Sequence, residues 1–256
     1  MKSPKGIQNF IEYKRSVEKE RPLLTTESRL ITIDGVDGSG KSTIAKKLAE
    51  KLQERFGKDK ILLVDITNLN GSPKQERLSI IAKQQDIATP RLDTLYAAGV
   101  NRAYDEVIVP VLQEGKIVVV DRSEVDLLRY ALENSDKKSI EKRKTYIQNG
   151  TTTHRLWAGN RIFLEADPKD AWENLKSREQ RSQYDPVSLR EAETSSKAQK
   201  EAEEYIESLP HQGKVQVVRE KVRRIEDISK REEYLDKLAG KLFARIHLPE
   251  NRSGDE

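Results

Sequence analysis

The segment Gly35–Ser42 constrains the fold most, because its three glycines stand between two segments with different structural preferences. Leu30–Ile33, just before it, is a short apolar run with β-branched residues, which is typical of a strand. After it, Ile44, Leu48 and Leu52 are spaced four apart and so share one face of a helix. The sequence therefore predicts a strand, a tight glycine-rich loop and an amphipathic helix in direct succession.

The fixed positions of this loop follow the pattern G-x-x-x-x-G-K-[ST], which is typical of loops that bind phosphate groups. Glycines allow successive backbone N–H groups to point inward, where a Cβ would obstruct the anion. The start of the following helix adds about half a positive charge at the same point. Lys41 would reach the β- and γ-phosphates of a nucleoside triphosphate, and the Ser42 hydroxyl would bind Mg²⁺. The residues expected to bind the triphosphate are Gly35, Gly38, Ser39, Gly40, Lys41, Ser42 and Thr43.

Composition favours a water-soluble protein. Charged residues make up 35% of the 256 residues, and no apolar run approaches the roughly 20 residues that cross a bilayer. Residues 1–29 lack the uninterrupted apolar stretch of a secretion signal, and the chain has no cysteine. We therefore expect a cytoplasmic protein without a membrane partner, disulfides or thiolate metal sites. The formal net charge of +4 fits an enzyme that handles phosphates. Because acids alternate with the basic residues, no specific nucleic-acid partner is expected.

Five short apolar runs alternate with helical segments along the chain. The predicted strands are Ile31–Asp34, Ile61–Ile66, Ile117–Asp121, Ile162–Glu165 and Val215–Val218. Their nearly continuous apolarity suits strands that are covered on both faces. Strands separated by helices predict a parallel sheet with ligands at the carboxyl ends of the strands. We therefore expect an α/β fold with a five-stranded parallel sheet flanked by helices.

The chain divides into three regions. Residues 1–28 form a charged extension whose apolar residues can line one helical face, residues 29–248 contain the alternating strands and helices, and residues 249–256 form a polar tail. Within the middle region, the pairs Thr89-Pro90 and Asp167-Pro168 each predict the start of a helix.

The helix that begins at Asp167-Pro168 is basic and is expected to carry Arg178 and Arg181. The polar segment over about residues 178–188 is expected to form a short lid, since it contains a proline and lies between two helices. Phosphoryl transfer depends on stabilising charge in the transition state. The variable positions of the glycine-rich loop contain no arginine, so Arg178 and Arg181 are the candidates for that role.

A second candidate site lies at the end of the third predicted strand, where Asp121 and Arg122 are adjacent. Near a triphosphate, an acid at this position can hold Mg²⁺ or its water ligands. The guanidinium group of the neighbouring arginine can bind a phosphate through two parallel hydrogen bonds.

With these residues in place, the chain resembles the thymidylate kinases, which are nucleoside monophosphate kinases of the P-loop NTPase fold. The similar segments are Ile33–Thr43, Leu95–Ala98, Asn101-Arg102, Ile108–Leu112 with Gly115, Val120–Arg122 and Phe163–Pro168, followed by the arginine-bearing lid. The resemblance implies phosphoryl transfer from ATP to dTMP, giving ADP and dTDP, with Mg²⁺ as the metal. Members of this family commonly form dimers, so the resemblance also allows a homodimer.

The resemblance further implies a role for each matching residue. Lys41 would bind the ATP phosphates, and Ser42 with Asp121 would organise Mg²⁺. On the acceptor side, Asp37 would face the 3′-hydroxyl of the sugar. Arg122, together with Arg102, would hold the acceptor monophosphate. The implied catalytic residues are Lys41, Asp121, Arg122, Arg178 and Arg181.

Two alternatives remain open from the sequence. Thymidylate kinases usually carry an arginine that helps to hold the acceptor in the turn after the second strand, but Asp65–Pro73 has none. The resemblance therefore identifies the phosphate acceptor less firmly than the donor, ATP. Asp121-Arg122-Ser123 followed by Arg129-Tyr130 also resembles the deoxynucleoside kinases, in which the acid is the base for a sugar hydroxyl. A protein that binds nucleotides without catalysis is the other alternative.

Overall fold

A computed structural model of the chain describes residues 24–66, residue 100 and residues 103–134, 136–148, 156–178 and 185–249. The strands of this part are β1 (Leu24–Gly35), β2 (Ile61–Asp65), β3 (Ile117–Asp121), β4 (Leu156–Ala166), β5 (His211–Gln212) and β6 (Gln216–Val222). Its α-helices are α1 (Lys41–Phe56), α2 (Val109–Gln113), α3 (Glu124–Asn134), α4 (Lys137–Gln148), α5 (Pro168–Lys176), α6 (Leu189–Glu207) and α7 (Ile228–Phe243). A π-helical turn, Tyr104–Ile108, leads into α2.

All strand pairs of the sheet are parallel. The order is β2-β3-β1-β4-β6, and the two-residue β5 pairs with the start of β1. This confirms the predicted α/β class and the five predicted strands, to which β5 is a short addition. The register aligns Asp121 with Ile33 on one side and with Asp65 on the other, so the carboxyl ends of β1, β2 and β3 meet at one edge.

Strand β1 begins at Leu24, whereas the sequence predicted a strand only from Ile31 and a charged extension up to residue 28. Residues 25–27 pair with Leu156–Ala158 of β4, and the register shifts between Glu27 and Ile31. Residues 24–28 therefore belong to the sheet and not to a helical extension, because pairing with β4 stabilises a strand that its polar sequence did not reveal. The rest of the predicted extension, the helix start at Thr89-Pro90 and the polar tail from residue 250 lie outside the described residues.

Helices cover the sheet on both faces. On one face, α1 and α7 pack over Ile31, Ile33 and Val119. On the other face, Val118 and Val120 pack against the helical segment that leads into α2, while α3 and α6 cover β4. Every residue of β3 is buried, as its continuous apolar sequence predicts. The described residues include no helix long and apolar enough to cross a membrane.

Candidate active site

The glycine-rich loop leaves β1 at Gly35 and enters α1 at Lys41, as the sequence predicts. Gly38 has a φ of 88°, and a Cβ at this position would lie 2.2 Å from the carbonyl oxygen of Ala171 in α5. Gly40 is the N-cap of α1 and also lies in the left-handed region. The Asn174 amide of α5 donates a hydrogen bond of 3.0 Å to the Gly38 carbonyl. Contacts with α5 therefore fix the loop in a conformation that requires glycine.

Lys41 lies inside this loop, and its side chain is only 4% exposed. Its ammonium group donates hydrogen bonds to the carbonyl oxygens of Gly35 at 2.6 Å and Val36 at 2.9 Å. It also lies 3.4 Å from Oδ1 of Asp37. Burial lowers the pKa of Lys41, and the nearby Arg122 lowers it further, while Asp37 opposes the shift. The loop thus holds a desolvated cation at its centre, where the sequence predicts binding of the triphosphate.

Ser42 and Asp121 come together from α1 and the end of β3. The Ser42 side chain is hydrogen-bonded to the Asp121 carboxylate. Oδ1 of this carboxylate is buried and has no hydrogen-bond partner in the described part of the chain. Burial raises the pKa of Asp121, although the Ser42 hydrogen bond and the charge of Lys41 counteract the shift. Mg²⁺ usually takes only one or two ligands from a protein and completes its coordination with water and phosphate oxygens. A hydroxyl next to a carboxylate whose Oδ1 has no hydrogen-bond partner suits such an ion.

Arg122 follows Asp121 directly and adopts a φ of 75°, which is uncommon for a residue with a side chain. Its backbone N–H donates to the Ile33 carbonyl at 3.0 Å. One guanidinium nitrogen, Nη2, donates to Oδ1 of Asp37 at 2.7 Å. The other, Nη1, donates to Oδ2 of Asp126 in α3. The left-handed backbone therefore turns the side chain from the end of β3 toward the glycine-rich loop.

Two residues of α3, Arg129 and Asp126, belong to the candidate site although the sequence analysis gave no role to Arg129 and did not identify Asp126. Nη2 of Arg129 donates to Oδ2 of Asp37 at 3.3 Å, and Nε donates to Oδ1 of Asp126 at 3.1 Å. The spacing of Asp126 and Arg129 was the available signal, since residues three apart share a helix face and both lie in α3.

These cations determine the ionisation of the two acids. Burial opposes ionisation of Asp37, but Lys41, Arg129 and Arg122 together hold its pKa well below the usual range. Burial also opposes ionisation of Asp126, and again the neighbouring arginines lower the pKa. Both side chains are therefore carboxylates at neutral pH, and each is surrounded by positive charge.

Several predicted residues fall at the margin of the described structure. Helix α5 begins as predicted, with the Asp167 side chain accepting from the backbone N–H groups of Lys169 and Asp170. It ends at Lys176, so Arg178 is not on the helix but lies exposed just beyond it. The prediction of a helix through Arg178 is wrong, because Ser177 caps the helix and the Arg178 N–H bonds to the Leu175 carbonyl three residues back, which closes the last turn. Arg181 and Arg102 lie outside the described residues.

Comparison with known proteins adds an independent observation. The sequence model of the family described as "Thymidylate kinase" matches residues 33–231, which include the glycine-rich loop, Asp121-Arg122 and α5. The chain belongs to the thymidylate kinase family.

Individual thymidylate kinases match parts of the chain. The enzyme from Dinoroseobacter shibae is 35% identical over 100 residues, which are 39% of this chain and 47% of that protein. The enzyme from Exiguobacterium sp. is 30% identical over 157 residues, or 59% of this chain and 69% of that protein. The matched segment thus spans about half the length of the D. shibae relative. The structure of thymidylate kinase from Ehrlichia chaffeensis aligns with a TM-score of 0.55 and 16% identity, covering 85% of this chain and 98% of that one, which supports the fold.

Proposed function

We propose that this member of the thymidylate kinase family transfers a phosphoryl group from ATP to a nucleoside monophosphate, with dTMP as the acceptor and dTDP as the product. One observation carries the proposal: a single carboxylate, Asp37, contacts both Lys41 of the glycine-rich loop at 3.4 Å and Arg122 at 2.7 Å. A lysine suited to the donor phosphates and an arginine suited to the acceptor phosphate therefore converge on one point. In-line transfer between two phosphates requires such a convergence.

On the donor side, the loop N–H groups and Lys41 would hold the ATP phosphates. The Lys41 ammonium group would exchange its loop carbonyl partners for phosphate oxygens, which are stronger acceptors because they are charged. Ser42 and Asp121 would hold Mg²⁺, which when bound neutralises charge on the β- and γ-phosphate oxygens. The spare oxygen of Asp121 fits this assignment.

On the acceptor side, Arg122 would bind the monophosphate, with Arg102 as its proposed partner. Asp37 would accept a hydrogen bond from the sugar 3′-hydroxyl, since its lowered pKa keeps it an acceptor at neutral pH. Arg178 and Arg181 would stabilise the charge of the transferring group from the lid. We also propose a cytoplasmic location, which the cysteine-free sequence supports.

A deoxynucleoside kinase is the second candidate, and one observation favours it. The pKa of Asp121 is raised by burial, and a general base works best when its pKa approaches the operating pH. In that case Asp121 would accept a proton from a sugar hydroxyl. Its hydrogen bond to Ser42 on the donor side supports the metal-organising role instead.

The proposal is tested by following ADP formation with Mg-ATP and dTMP, and by observing the new β-phosphate of dTDP by phosphorus NMR. Lys41→Ala serves as the blank, and we expect it to lose at least about a hundredfold in turnover. Lys46→Ala is the matched control, because Lys46 is exposed on the same helix. The proposal is wrong if the unaltered protein forms no dTDP, or if Lys41→Ala turns over normally.

A further inference from the structure

Two arginines and two carboxylates form a closed ring at the acceptor side of the site. Arg122 and Arg129 each bridge Asp37 and Asp126, and each carboxylate gives one oxygen to each arginine. Arg122 binds Oδ1 of Asp37 and Oδ2 of Asp126. Arg129 binds the remaining oxygens, Oδ2 of Asp37 and Oδ1 of Asp126. The ring joins the glycine-rich loop, the end of β3 and helix α3.

The two arginines of the ring differ in access. The Arg122 side chain is 20% exposed, whereas that of Arg129 is 7% exposed. Arg129 is also held from outside the ring, because Nη1 donates to Glu133 Oε1 at 2.9 Å and to the Ser195 hydroxyl of α6 at 2.9 Å. An incoming phosphate can therefore reach Arg122, while Arg129 stays anchored behind the two carboxylates.

The ring creates an electrostatic problem for the acceptor. If Arg122 binds the acceptor phosphate, it must weaken its contacts with Asp37 and Asp126. A monophosphate carries between one and two negative charges at neutral pH. It would then approach two carboxylates that have lost a counter-charge, and the repulsion between like charges would weaken its binding.

We propose that Arg129 is a positioning residue that holds and neutralises Asp37 and Asp126 while Arg122 transfers to the acceptor phosphate. This inference rests on the proposed function, since it deepens the role of the same site. Arg129 does not touch the phosphate. It keeps Asp37 aimed at the sugar and prevents Asp126 from repelling the monophosphate.

The test is the equilibrium binding of dTMP in the absence of ATP, measured by calorimetry on the full chain. We expect Arg129→Met to raise the Kd for dTMP by at least about tenfold, because both carboxylates then face the phosphate with less compensation. The Kd for ATP should change by less than about threefold, since Lys41 and the loop N–H groups remain. Arg129→Lys should give an intermediate loss, because an ammonium group keeps the charge but cannot bridge both acids. Glu133→Gln is the matched control, because it removes a charge next to Arg129 outside the ring but keeps an oxygen that can accept its hydrogen bond, and it should change the Kd for dTMP by less than about threefold.

A double variant separates this role from simple packing. Adding Asp126→Asn to Arg129→Met removes one of the two carboxylates that repel the phosphate, so dTMP binding should recover about threefold or more of the lost affinity; Asp126→Asn alone completes the cycle. A purely structural role for Arg129 predicts that the double variant binds as weakly as Arg129→Met or more weakly, and that result would overturn the inference. Unchanged dTMP binding in both Arg129→Met and Arg129→Lys would also overturn it. If the unaltered protein binds neither dTMP nor another monophosphate, the proposed function itself is wrong and the inference falls with it.

Discussion

The Ser123 hydroxyl donates a hydrogen bond of 2.8 Å to Oδ2 of Asp34, which joins the carboxyl ends of β3 and β1. Asp34 is fully buried, and its other oxygen has no hydrogen-bond partner in the described residues. Burial, together with the carboxylates of Asp126 and Glu124, raises the pKa of Asp34 to about 8. Asp34 is therefore protonated in the folded protein at pH values where it is ionised in the unfolded chain.

This difference makes stability depend on pH in a defined direction. The folded pKa of about 8 lies above the usual value of 3.8, so the folded state binds the extra proton between these values. The free energy of unfolding should then fall as pH rises through this window, by up to about 1.4 kcal/mol per pH unit from this group.

Asp34→Asn should remove that contribution. Urea denaturation of both proteins at about pH 5 and about pH 8 should show the variant gaining stability relative to the unaltered chain as pH rises. The two proteins share all other titrating groups, so their difference isolates Asp34. Parallel stability profiles would contradict the raised pKa.

Gly38 should tolerate no side chain. Its φ of 88° and the 2.2 Å approach to the Ala171 carbonyl predict that Gly38→Ala destabilises the protein by about 2 kcal/mol or more and weakens ATP binding. Gly240→Ala in helix α7 is the control, because the nearest atom to a Cβ there would be the Lys51 side chain of α1, at an ordinary contact distance of 3.9 Å. That control should be neutral or stabilising by up to about 1 kcal/mol. Equal melting temperatures for the two variants would show that α5 does not fix the loop.

Asp121 distinguishes the two candidate reactions. If it organises Mg²⁺, Asp121→Asn should raise the Mg²⁺ concentration needed for half-maximal turnover by about tenfold or more, and excess Mg²⁺ should restore part of the activity. If it is the base for a sugar hydroxyl, the lost turnover should not return with Mg²⁺. A titration of turnover against Mg²⁺ for both proteins decides between these roles.

The lid arginines should affect the reaction more than the binding of ATP. We expect Arg178→Ala or Arg181→Ala to lower kcat by about a hundredfold or more while ATP binding changes little. Lys176→Ala is the matched control, because Lys176 is also exposed and contacts its own helix, with an ion pair to Glu173 at 2.8 Å and the Trp172 ring at 5.9 Å. Small and equal losses in kcat and ATP affinity would mean that these arginines belong to a solvated surface.

Local sequence signals were sufficient for the donor side of the site. The strand, the glycine-rich loop and the apolar stripe of α1 lie within about twenty consecutive residues, so composition and spacing predict them together. The N-cap signal at Asp167 also depends only on nearby residues, since the side chain accepts hydrogen bonds from backbone N–H groups two and three residues later. Each of these features depends on neighbours in the chain.

The ring and the start of β1 could not be predicted in the same way. Asp37 lies 85 residues before Arg122 and 92 before Arg129, so only the fold brings them together. Residues 25–27 are polar, and their strand depends on pairing with β4, far along the chain. The helix face shared by Asp126 and Arg129 was visible in the sequence, but its pairing with Asp37 of the loop and with Arg122 at the end of β3 was not.

The proposed reaction is tested most directly by separate incubations with Mg-ATP, each containing one acceptor at the same concentration: dTMP, dUMP, dCMP, dAMP, UMP, thymidine or deoxycytidine, with Lys41→Ala as the blank for each. Chromatography of the products measures which acceptor gains a phosphate. We expect dTMP to be phosphorylated to dTDP faster than any other acceptor gains a phosphate, and the blank to form almost none. Monophosphates formed from thymidine or deoxycytidine, or no new product while ATP still binds, would contradict the proposed reaction.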